Sequence, residues 1–343
     1  MIKTSTRLPA EWEPQSGIIM TYPHQGTDWQ PYLDEVTLCY RAIINAVSRY
    51  ERIVIVCSAS QEDTHVLNGV SRSPITFANV CANDTWTRDH GPVSVFENKT
   101  RCVYDYTFNG WGLKFPSELD NRITRKLFDG GVFAPDVQYR DMLGYVLEGG
   151  SIESDGQGTV LTTSQCLLAP NRNDYCKSKR DIEFNVLSHL GVTRVLWLDH
   201  GYLEGDDTDG HIDTLARFCD AGTIAYVQCN DRSDSHFASL ELMEQQLRTF
   251  RTANGAPYNL IPLPMAEPVY FDGQRLPATY ANFLIINHAV LYPTYGSNLD
   301  TVAGERLQKA FPDRHIIGID CRVLIRQHGS LHCITMQLPD GFL

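Results

Sequence analysis

Amphipathic stretches with a helical period alternate with short apolar runs five times along the chain. Apolar residues at intervals of three and four predict a helix, and a short apolar run bounded by polar residues predicts a buried strand. The helical stretches lie at roughly 32–50, 117–129, 174–190, 236–252 and 299–311, and the strands after them at 51–57, 135–141, 192–198, 258–264 and 314–320. The residues themselves do not repeat, so this is a repeat of pattern alone.

A second feature follows these strands. The segments 146–163, 211–228 and 282–296 each contain a strand with polar residues, a turn of Gly, Asp or Asn, and an apolar strand. Alternation of polar and apolar positions on both sides of a short turn indicates a β-hairpin. Each unit is therefore predicted as a helix, a strand and a hairpin.

The predicted fold class is α/β, and two architectures fit the pattern. A three-layer domain with a doubly wound sheet also alternates helices and strands. Against it, hairpins are frequent where parallel crossovers would be expected, and no Gly-x-Gly-x-x-Gly sequence follows the first strand. Five like units close most simply around an axis, as the blades of a propeller do. Such closure brings one segment of each unit to a shared centre.

Composition narrows the range of partners. The 343 residues carry a formal net charge of −12, with 43% hydrophobic and 20% charged residues. This acidity disfavours nucleic acid and favours a cationic small molecule. No run of about 18 apolar residues predicts a membrane span, and the polar residues 1–16 do not look like a signal peptide. The ten cysteines show no Cys-x-x-Cys pairing, so we expect reduced thiols in a cytoplasmic protein.

Polar segments with reactive side chains occur once in each unit. In chain order they contain Asp84, Trp86, Arg88, Asp89 and His90; Glu148, Gly149 and Gly150; Asp206, Asp207, Asp209, His211 and Asp213; Asn282 and Asn287; and His332 and Cys333. If the five units share a centre, several carboxylates surround one histidine and one cysteine there.

Such a group suits chemistry on a guanidinium. His211 and Asp213 are two residues apart, and on a strand such positions point to the same face. Crowded carboxylates repel one another unless a cation lies between them, and a planar guanidinium offers them paired N–H donors. The thiolate of Cys333 could attack its carbon while a histidine protonates the departing ammonia.

Each signal also has an ordinary interpretation. Cys333 could be a core residue like other cysteines, and the Glu-Gly-Gly sequence could be a turn. His211 and Asp213 could form a structural hydrogen-bonded pair or, with further carboxylates, bind a divalent metal. Trp86 and Arg88 could pack at the surface. The occurrence of all five segments in order favours the catalytic interpretation.

The order Asp, Glu-Gly-Gly, Gly-His-x-Asp and Cys resembles that of the agmatine deiminase and bacterial peptidylarginine-deiminase-type family. The similar blocks are RLPAEWEPQ at 7–15, NDTWTRDHGP at 83–92, LEGGSIESDGQGT at 147–159, TDGHIDT at 208–214, ANFLIINHAVLYPTYG at 281–296 and GSLHCITMQ at 329–337. The resemblance implies the pentein fold, a five-bladed α/β propeller with pseudo-fivefold repeats, as a single catalytic domain over residues 1–343.

The resemblance also implies roles for individual residues. Cys333 would be the nucleophile and His211 the general acid and base. Asp89 and Asp213 would hold the guanidinium nitrogens, and Glu148 would orient His211 and the substrate. No metal and no cofactor are implied.

At the entrance, Trp86 would wall the substrate channel. Asp207, four residues before His211, matches an acidic position that faces the distal amine of agmatine. An anionic group there favours agmatine, because arginine and peptides carry a carboxylate or carbonyl in that region. The implied reaction is hydrolysis of agmatine to N-carbamoylputrescine and ammonia through an amidino-cysteine. The family tends to form dimers or higher oligomers, so a homodimer or higher homo-oligomer is expected.

Other activities remain open for the same residues. They are deimination of free or peptidyl arginine, amidino transfer to an added amine, and metal-dependent hydrolysis. From a different class, the chain could bind cationic metabolites without catalysis, although intact Cys333 and His211 argue against that. The strings RQHGSLHC and DHGP depart from the agmatine deiminase pattern, in which a glycine-rich run and Thr-Gly-Pro are usual.

Overall fold

The computed structural model describes residues 5–58 and 73–343 as a mixed α/β fold. The strands are, in chain order, β1 (Thr6–Arg7), β2 (Gln15–Thr21), β3 (Arg52–Cys57), β4 (Ile75–Asn79), β5 (Val93–Glu97), β6 (Thr100–Thr107), β7 (Gln138–Val146), β8 (Ile152–Ser154), β9 (Thr159–Thr163), β10 (Arg194–Leu198), β11 (Ala216–Asp220), β12 (Thr223–Gln228), β13 (Asn259–Pro264), β14 (Tyr270–Phe271), β15 (Gln274–Arg275), β16 (Leu284–Ile286), β17 (Ala289–Thr294), β18 (His315–Asp320) and β19 (Thr335–Pro339). The helices are α1 (Leu33–Val47), α2 (Thr87–His90), α3 (Gly110–Leu113), α4 (Ile123–Asp129), α5 (Ser164–Leu167), α6 (Lys179–Asn185), α7 (Phe237–Thr249) and α8 (Leu299–Ala310). Short 3₁₀ turns occupy Gln30–Tyr32, Asp120–Arg122, Gly149–Ser151, Leu187–Leu190, Ile212–Thr214 and Leu324–Gln327.

Four sheets share one order of strand pairing. In each, an antiparallel hairpin is followed by a helix and a third strand, which runs parallel to the second strand of the hairpin. A parallel return needs a long crossover, and the helix supplies it. The sheets are β5–β6–β7 with α4, β8–β9–β10 with α6, β11–β12–β13 with α7, and β16–β17–β18 with α8. The short strand β1 extends the first of these sheets beside β5, and β14 and β15 form a separate hairpin.

A fifth sheet joins the two ends of the chain in the same order. β19 pairs antiparallel with β2, with Thr335 opposite Met20. The helix α1 then leads to β3, which runs parallel to β2, and β4 lies at the outer edge. The hairpin of this sheet is thus assembled from strands at opposite ends of the chain.

This grouping corrects the predicted composition of the repeating unit. The sequence pattern grouped each helix and strand with the hairpin that follows them. In the structure, each hairpin instead pairs with the helix and strand that come after it. The first predicted helix and strand therefore belong with the last strand of the chain.

Three of the five predicted helices match α1, α7 and α8 closely, and two are shorter than predicted. The stretch 117–129 is helical only in α4 and the preceding 3₁₀ turn. In the stretch 174–190, α6 begins at Lys179 because the Ser178 side chain accepts a hydrogen bond from the Asp181 backbone N–H at 3.2 Å. The following 3₁₀ turn stops at Gly191, whose φ of 74° is unfavourable for other residues.

The apolar core lies between the helices and the sheets. On α1, Ile43, Ile44 and Val47 are fully buried, and the neighbouring strand β3 contributes Ile53 and Ile55 to the same cluster. Burial of such a side chain contributes about 1.5–3 kcal/mol. Packing therefore fixes the strands and leaves the polar segments at their ends. None of the helices among residues 5–58 and 73–343 is long and apolar enough to cross a bilayer.

Candidate active site

Five polar segments precede the first strand of the five sheets. They contain Asp89 before β5, Glu148 before β8, Asp213 before β11, Asn282 before β16 and Cys333 before β19. The structure brings all five segments together through contacts between their polar side chains and backbone groups.

Cys333 lies in the turn that leads into β19, and only 5% of it is exposed. Nδ2 of Asn282 donates a hydrogen bond to its Sγ at 3.2 Å, and Oδ2 of Asp213 is 3.7 Å from the sulfur. Burial raises the pKa of the Cys333 thiol well above its usual value, and the carboxylates of Asp213 and Asp89 raise it further. In the free protein this group is therefore a neutral thiol at neutral pH.

Gly150 occupies the point on which the polar side chains converge. A Cβ atom at this position would lie 2.6 Å from Nδ1 of His211, 2.9 Å from Oδ1 of Asp89 and 3.1 Å from Oδ2 of Asp213. Nδ1 of His211 and Oδ1 of Asp89 are themselves 3.6 Å apart. The three side chains can therefore meet only because residue 150 has none.

Two buried polar atoms of these side chains have no hydrogen-bond partner among the described residues, Nδ1 of His211 and Oδ1 of Asp213. The oxygens of Asp89 are both occupied, Oδ1 by the Gly150 backbone N–H at 2.9 Å and Oδ2 by the Trp111 indole N–H at 2.9 Å. A buried polar atom without a partner costs about 1–3 kcal/mol. This arrangement favours a bound polar molecule, and the carboxylates favour a cationic one.

Glu148 connects His211 to a buried arginine. Its Oε2 is 2.7 Å from Nε2 of His211, and Nε of Arg172 donates to both of its oxygens at 3.0 Å. Nη1 of Arg172 extends to Oδ2 of Asp209 at 2.7 Å. Held in this way, the imidazole presents Nδ1 to the centre of the site.

The charges of the site are set by burial and by neighbouring groups. Burial raises the pKa of Asp89 to about 6, with Glu148 and Asp213 adding to the rise and His211 opposing it. Burial also favours the neutral acid of Glu148, but His211 and Arg172 hold the pKa of this carboxyl below its usual range. At Asp213 burial has the same effect, and there His332 and His211 hold the pKa below the usual range. Burial opposes the charged form of His211, yet Asp89 and the hydrogen bond to Glu148 hold its pKa well above the usual value. The centre therefore pairs a protonated histidine with carboxylates.

Backbone contacts position the short helix that carries Asp89. The hydroxyl of Thr87 accepts a hydrogen bond from the Thr21 backbone N–H at 2.8 Å, which ties α2 to β2. The backbone N–H of Arg88 donates to the carbonyl of Cys333 at 3.0 Å. The helix that carries the carboxylate is therefore fixed to the turn that carries the thiol.

The pair His211 and Asp213 lies on a turn, so the prediction that it lies on one face of a strand is wrong. His211 has φ −54° and ψ 138°, and Asp213 lies within the 3₁₀ turn Ile212–Thr214. The Thr214 hydroxyl donates to the His211 carbonyl at 2.9 Å and closes the turn. The turn, and not the two-residue period of a strand, brings both side chains to the centre.

A cavity of about 110 Å³ leads from the surface to Cys333. It is lined by Asp28, Asp84, Trp86, Asp89, Trp111, Phe115, Asp207, Thr208, Gln327, His328, Gly329 and Cys333. Trp86, Trp111 and Phe115 form aromatic walls, and the ring of Trp86 packs directly on Gly329, where a Cβ atom would lie 2.2 Å from it. Flat walls of this kind suit a planar or extended ligand.

Acidic side chains line the outer part of this cavity. Asp28 is exposed and Asp84 and Asp207 are half-buried, whereas Asp89 and Cys333 are buried. Burial, together with the nearby carboxylates of Asp120, Asp28 and Asp207, raises the pKa of Asp84 to about 7. Burial likewise raises the pKa of Asp207. The entrance therefore favours a cation.

Other side chains from the five segments lie outside this centre. His90 is buried away from the cavity, where burial lowers its pKa to about 3. The side chain of Asn287 bonds to both backbone groups of Gln15. Asp206 accepts hydrogen bonds from the backbone of its own loop, and the guanidinium of Arg88 points to a second cavity.

Three residues that shape the site, Trp111, Glu11 and Arg172, are not among those predicted from the sequence. Trp111 has an unusual φ of 54° and is flanked by Gly110 and Gly112, so this Gly-Trp-Gly string was a usable signal. Glu11 lies in the N-terminal block used for the resemblance, but its position gives no sign of a buried partner. Nothing in the string around Arg172 indicates that it reaches Glu148.

Two buried clusters among the described residues have donor atoms close enough to bind a metal. They are Glu148, Cys166 and His211, and Glu11, Glu153 and His332. In each cluster a carboxylate already pairs with a guanidinium, from Arg172 in the first and from Arg217 in the second. A divalent cation would have to displace that guanidinium, so we assign neither cluster as a metal site.

Solved structures with similar chains share this fold over their full length. A crystal structure from Porphyromonas gingivalis, provisionally described as an arginine deiminase, is 50% identical, covers 98% of this chain and 99% of its own, and has a TM-score of 0.93. A cysteine-to-serine variant of agmatine deiminase from C. jejuni with substrate bound is 37% identical, covers 100% and 99% of the two chains, and has a TM-score of 0.92.

Sequence comparison leads to the same group. Agmatine deiminase from Stutzerimonas stutzeri is 31% identical over 98% of this chain and 96% of its own. The family model described as Porphyromonas-type peptidyl-arginine deiminase matches residues 7–339. The chain therefore belongs to the Porphyromonas-type peptidyl-arginine deiminase family.

Proposed function

We propose that this protein hydrolyses agmatine to N-carbamoylputrescine and ammonia through a covalent intermediate on Cys333. One observation carries the choice of substrate: the cavity that ends at Cys333 and Asp89 is lined further out by Asp28, Asp84 and Asp207. None of its described lining residues is Arg or Lys. Agmatine carries a guanidinium at one end and an ammonium at the other, which matches carboxylates at both ends of the cavity. The similarity to agmatine deiminases supports the same choice.

In the proposed complex, Asp89 and Asp213 hold the guanidinium nitrogens. Oδ1 of Asp213 is buried and has no partner among the described residues, so it can accept a substrate N–H without giving up another bond. Trp86 and Trp111 flank the chain of the substrate, and Asp207 faces the distal ammonium. The guanidinium carbon then lies near Sγ of Cys333.

Binding of this cation activates the sulfur. The pKa of Cys333 is high in the free protein because of burial and the carboxylates of Asp213 and Asp89. A guanidinium between these carboxylates offsets their charge, so the thiol loses its proton to solvent when the substrate binds. His211 stays protonated, and the complex then holds a thiolate, an imidazolium and a guanidinium.

In the first half-reaction the thiolate forms a bond to the guanidinium carbon. His211 gives its proton to one nitrogen, the C–N bond breaks, and ammonia leaves behind a thiouronium on Cys333. Glu148 and Arg172 keep His211 oriented for this transfer through the 2.7 Å contact between Glu148 and the imidazole.

The second half-reaction releases the ureido product. Neutral His211 accepts a proton from water as the oxygen bonds to the thiouronium carbon. The C–S bond then breaks and the second proton of the attacking water passes to the sulfur, which leaves the ureido group, the neutral Cys333 thiol and protonated His211. The cycle closes with no net change in the protein.

Free arginine is the second candidate substrate. It is favoured by the 50% identity to the P. gingivalis structure described provisionally as an arginine deiminase. Against it, the α-carboxylate of arginine would face Asp28, Asp84 and Asp207, with His328 as the one basic group in the described lining. The repulsion favours agmatine.

The test is release of ammonia from agmatine, free arginine and a peptide with a C-terminal arginine, measured at equal concentrations. We expect the highest kcat/KM with agmatine, and mass spectrometry should detect the ureido product. Faster release from either arginine substrate would contradict the choice of agmatine. A product formed on an added amine would identify amidino transfer instead.

We further propose that the five sheets stand around one axis as the blades of a propeller, within a single domain over residues 1–343. The common pairing order of the sheets and the meeting of the five segments before β5, β8, β11, β16 and β19 support this arrangement. An experimental structure would test the closure. A single cooperative unfolding transition would support one domain, and two separated transitions would contradict it.

A further inference from the structure

A second cavity lies behind the catalytic centre. It has a volume of about 50 Å³, and its lining includes Arg88, Gly149 and His332. Each of these residues is followed in the chain by a residue of the centre in front. Three chain segments thus separate the two cavities. Charged side chains that line the second cavity lie close enough to act on the catalytic groups.

His332 bridges the two sides of this layer. Its Nδ1 lies 2.7 Å from Oδ2 of Asp213, and its Nε2 lies 2.7 Å from Oε2 of Glu11. An ionised carboxylate can only accept hydrogen bonds, and a neutral imidazole has a single N–H. The two contacts are satisfied together when His332 is an imidazolium between two carboxylates.

Glu11, one of the two partners of His332, is held as a carboxylate by its neighbours. Burial opposes ionisation of Glu11, but Arg217 and His332 hold its pKa below the usual range. Nη2 of Arg217 is 2.9 Å from Oε2 of Glu11. The charged and titratable groups facing Asp213 and His332 are Glu11, Arg88, Asp89, Glu153, His211, Arg217 and Cys333.

The backbone around His332 is held firmly. Oδ1 of Asn282 accepts a hydrogen bond from the His332 N–H at 2.8 Å, while Nδ2 of the same residue donates to Sγ of Cys333. One amide thus fixes the position of both the imidazole and the sulfur. With Oδ2 engaged by His332, Oδ1 of Asp213 is left buried without a hydrogen-bond partner among the described residues.

We propose that His332 is a positioning residue for deimination, which as an imidazolium held by Glu11 keeps Asp213 ionised and directs its free oxygen to the substrate. This inference rests on the proposed function. Without the imidazolium, Asp213 would face the carboxylate of Asp89 with less compensation. It would then take up a proton more readily and lose its hold on a guanidinium.

The main test is His332→Asn, because the amide can donate to Asp213 but carries no charge. We expect KM for agmatine to rise at least about tenfold at neutral pH while kcat at saturation changes less than about threefold, since binding depends on the charge of Asp213. The acidic limb of kcat/KM, which Asp89 with its pKa of about 6 sets in the wild type, should move to higher pH by about one unit or more, because Asp213 without the imidazolium should titrate above Asp89. A merely structural residue would not move that limb.

Glu11→Gln provides an independent variant, since it keeps an acceptor for His332 but removes the charge that favours the imidazolium. In Glu11→Gln the acidic limb of kcat/KM should also move to higher pH, by a smaller amount than in His332→Asn. His236→Asn is the matched control, because His236 is also buried and contacts a carboxylate, with Nδ1 2.6 Å from Oδ1 of Asp234, yet lines neither cavity. Its acidic limb should equal that of the wild type.

The inference would be overturned if active His332→Asn kept the wild-type KM and the wild-type acidic limb of kcat/KM. A fall in kcat with no change in KM would overturn it as well. If that variant does not fold, a wild-type limb in folded Glu11→Gln would overturn it equally. Failure of the wild type to release ammonia from agmatine would contradict the proposed function itself, so the two failures are distinguishable.

Discussion

Arg172 meets Glu148 edge-on, with its Nε 3.0 Å from each carboxylate oxygen and both side chains almost fully buried. Glu148 in turn contacts the imidazole of His211 at 2.7 Å. The guanidinium therefore lets a carboxylate remain ionised in the interior, and the ionised carboxylate orients and charges the histidine. Arg172 does not contact His211 directly, but the charge of His211 depends on it through Glu148.

Replacing this arginine should affect stability and activity together. In Arg172→Gln the buried charge of Glu148 loses its main partner, which we expect to cost about 3–5 kcal/mol in the free energy of unfolding. Since His211 also loses charge and orientation, kcat/KM should fall by more than about tenfold. Denaturant unfolding and ammonia release measure the two effects.

The matched control is Arg140→Gln. Arg140 pairs with Glu97 at 2.9 Å, but both side chains are partly exposed. Such a pair contributes only about 0–1 kcal/mol, so stability and activity should stay close to those of the wild type. Equal losses in the two variants would show that Arg172 acts only as an ordinary ion pair.

Removal of the thiol should abolish the reaction but not binding. We expect Cys333→Ala to lower kcat by roughly 10⁴-fold or more, because no covalent intermediate can form. Agmatine should still bind in calorimetry. Cys81→Ala is the control, since Cys81 is exposed and should be dispensable. Turnover by Cys333→Ala at a near-normal rate would eliminate the covalent mechanism.

Gly150 should not tolerate a methyl group. In Gly150→Ala the new Cβ atom would lie 2.6 Å from Nδ1 of His211 and 2.9 Å from Oδ1 of Asp89, so these groups must move apart. We expect a loss of about 1–3 kcal/mol in stability and nearly complete loss of turnover. Gly144→Ala, where no atom lies within 4 Å, is the control. Normal kinetics in Gly150→Ala would mean that the closeness of these groups is unimportant.

The pH dependence of binding should report on Asp89, whose pKa is about 6. In a Cys333→Ser background, affinity for agmatine should rise as pH increases towards 6 and level off above it, because the carboxylate becomes charged. Calorimetry across this range measures it, and adding Asp89→Asn should remove the step. A step that survives this substitution would belong to another group.

The same shift predicts the opposite trend for stability without ligand. Folding raises the pKa of Asp89 from its ordinary value of 3.8 to about 6. Between about pH 4 and 6 the folded state therefore binds more protons than the unfolded chain. The contribution of Asp89 to stability is therefore largest below that window and is lost as pH rises through it. Comparison of unfolding free energies for wild type and Asp89→Asn across the window measures this contribution.

Substitution at the entrance should separate recognition of the two ends of agmatine. We expect Asp207→Asn to raise KM for agmatine about tenfold with little change in kcat, since a charge-assisted contact contributes roughly 1.5–3 kcal/mol. With n-butylguanidine, which lacks the ammonium, KM should not change. Asp129→Asn, at an exposed pair with Arg125, is the control. Equal effects on both substrates would place the ammonium elsewhere.

The sequence predicted which residues form the candidate site better than it predicted how they are arranged. The segments with Asp89, Glu148, Asp213 and Cys333 could be singled out because each joins reactive residues to a turn before a strand. The strand assigned to His211 was wrong because a short polar string around Gly210 fits a turn equally well. Arg172 could not have been found, because a lone arginine in a loop gives no sign of its partner.

The local elements could be predicted from the sequence: the alternation of helices and strands, the turns between them, and the order of polar segments. These follow from the spacing of apolar residues and from residue types, both of which act over a few positions. Long-range packing establishes that β19 pairs with β2, that His332 lies between Asp213 and Glu11, and that Gly150 marks the point of convergence. Contacts between distant segments depend on how whole sheets pack, and burial at those contacts then sets the charges on which the proposed chemistry depends.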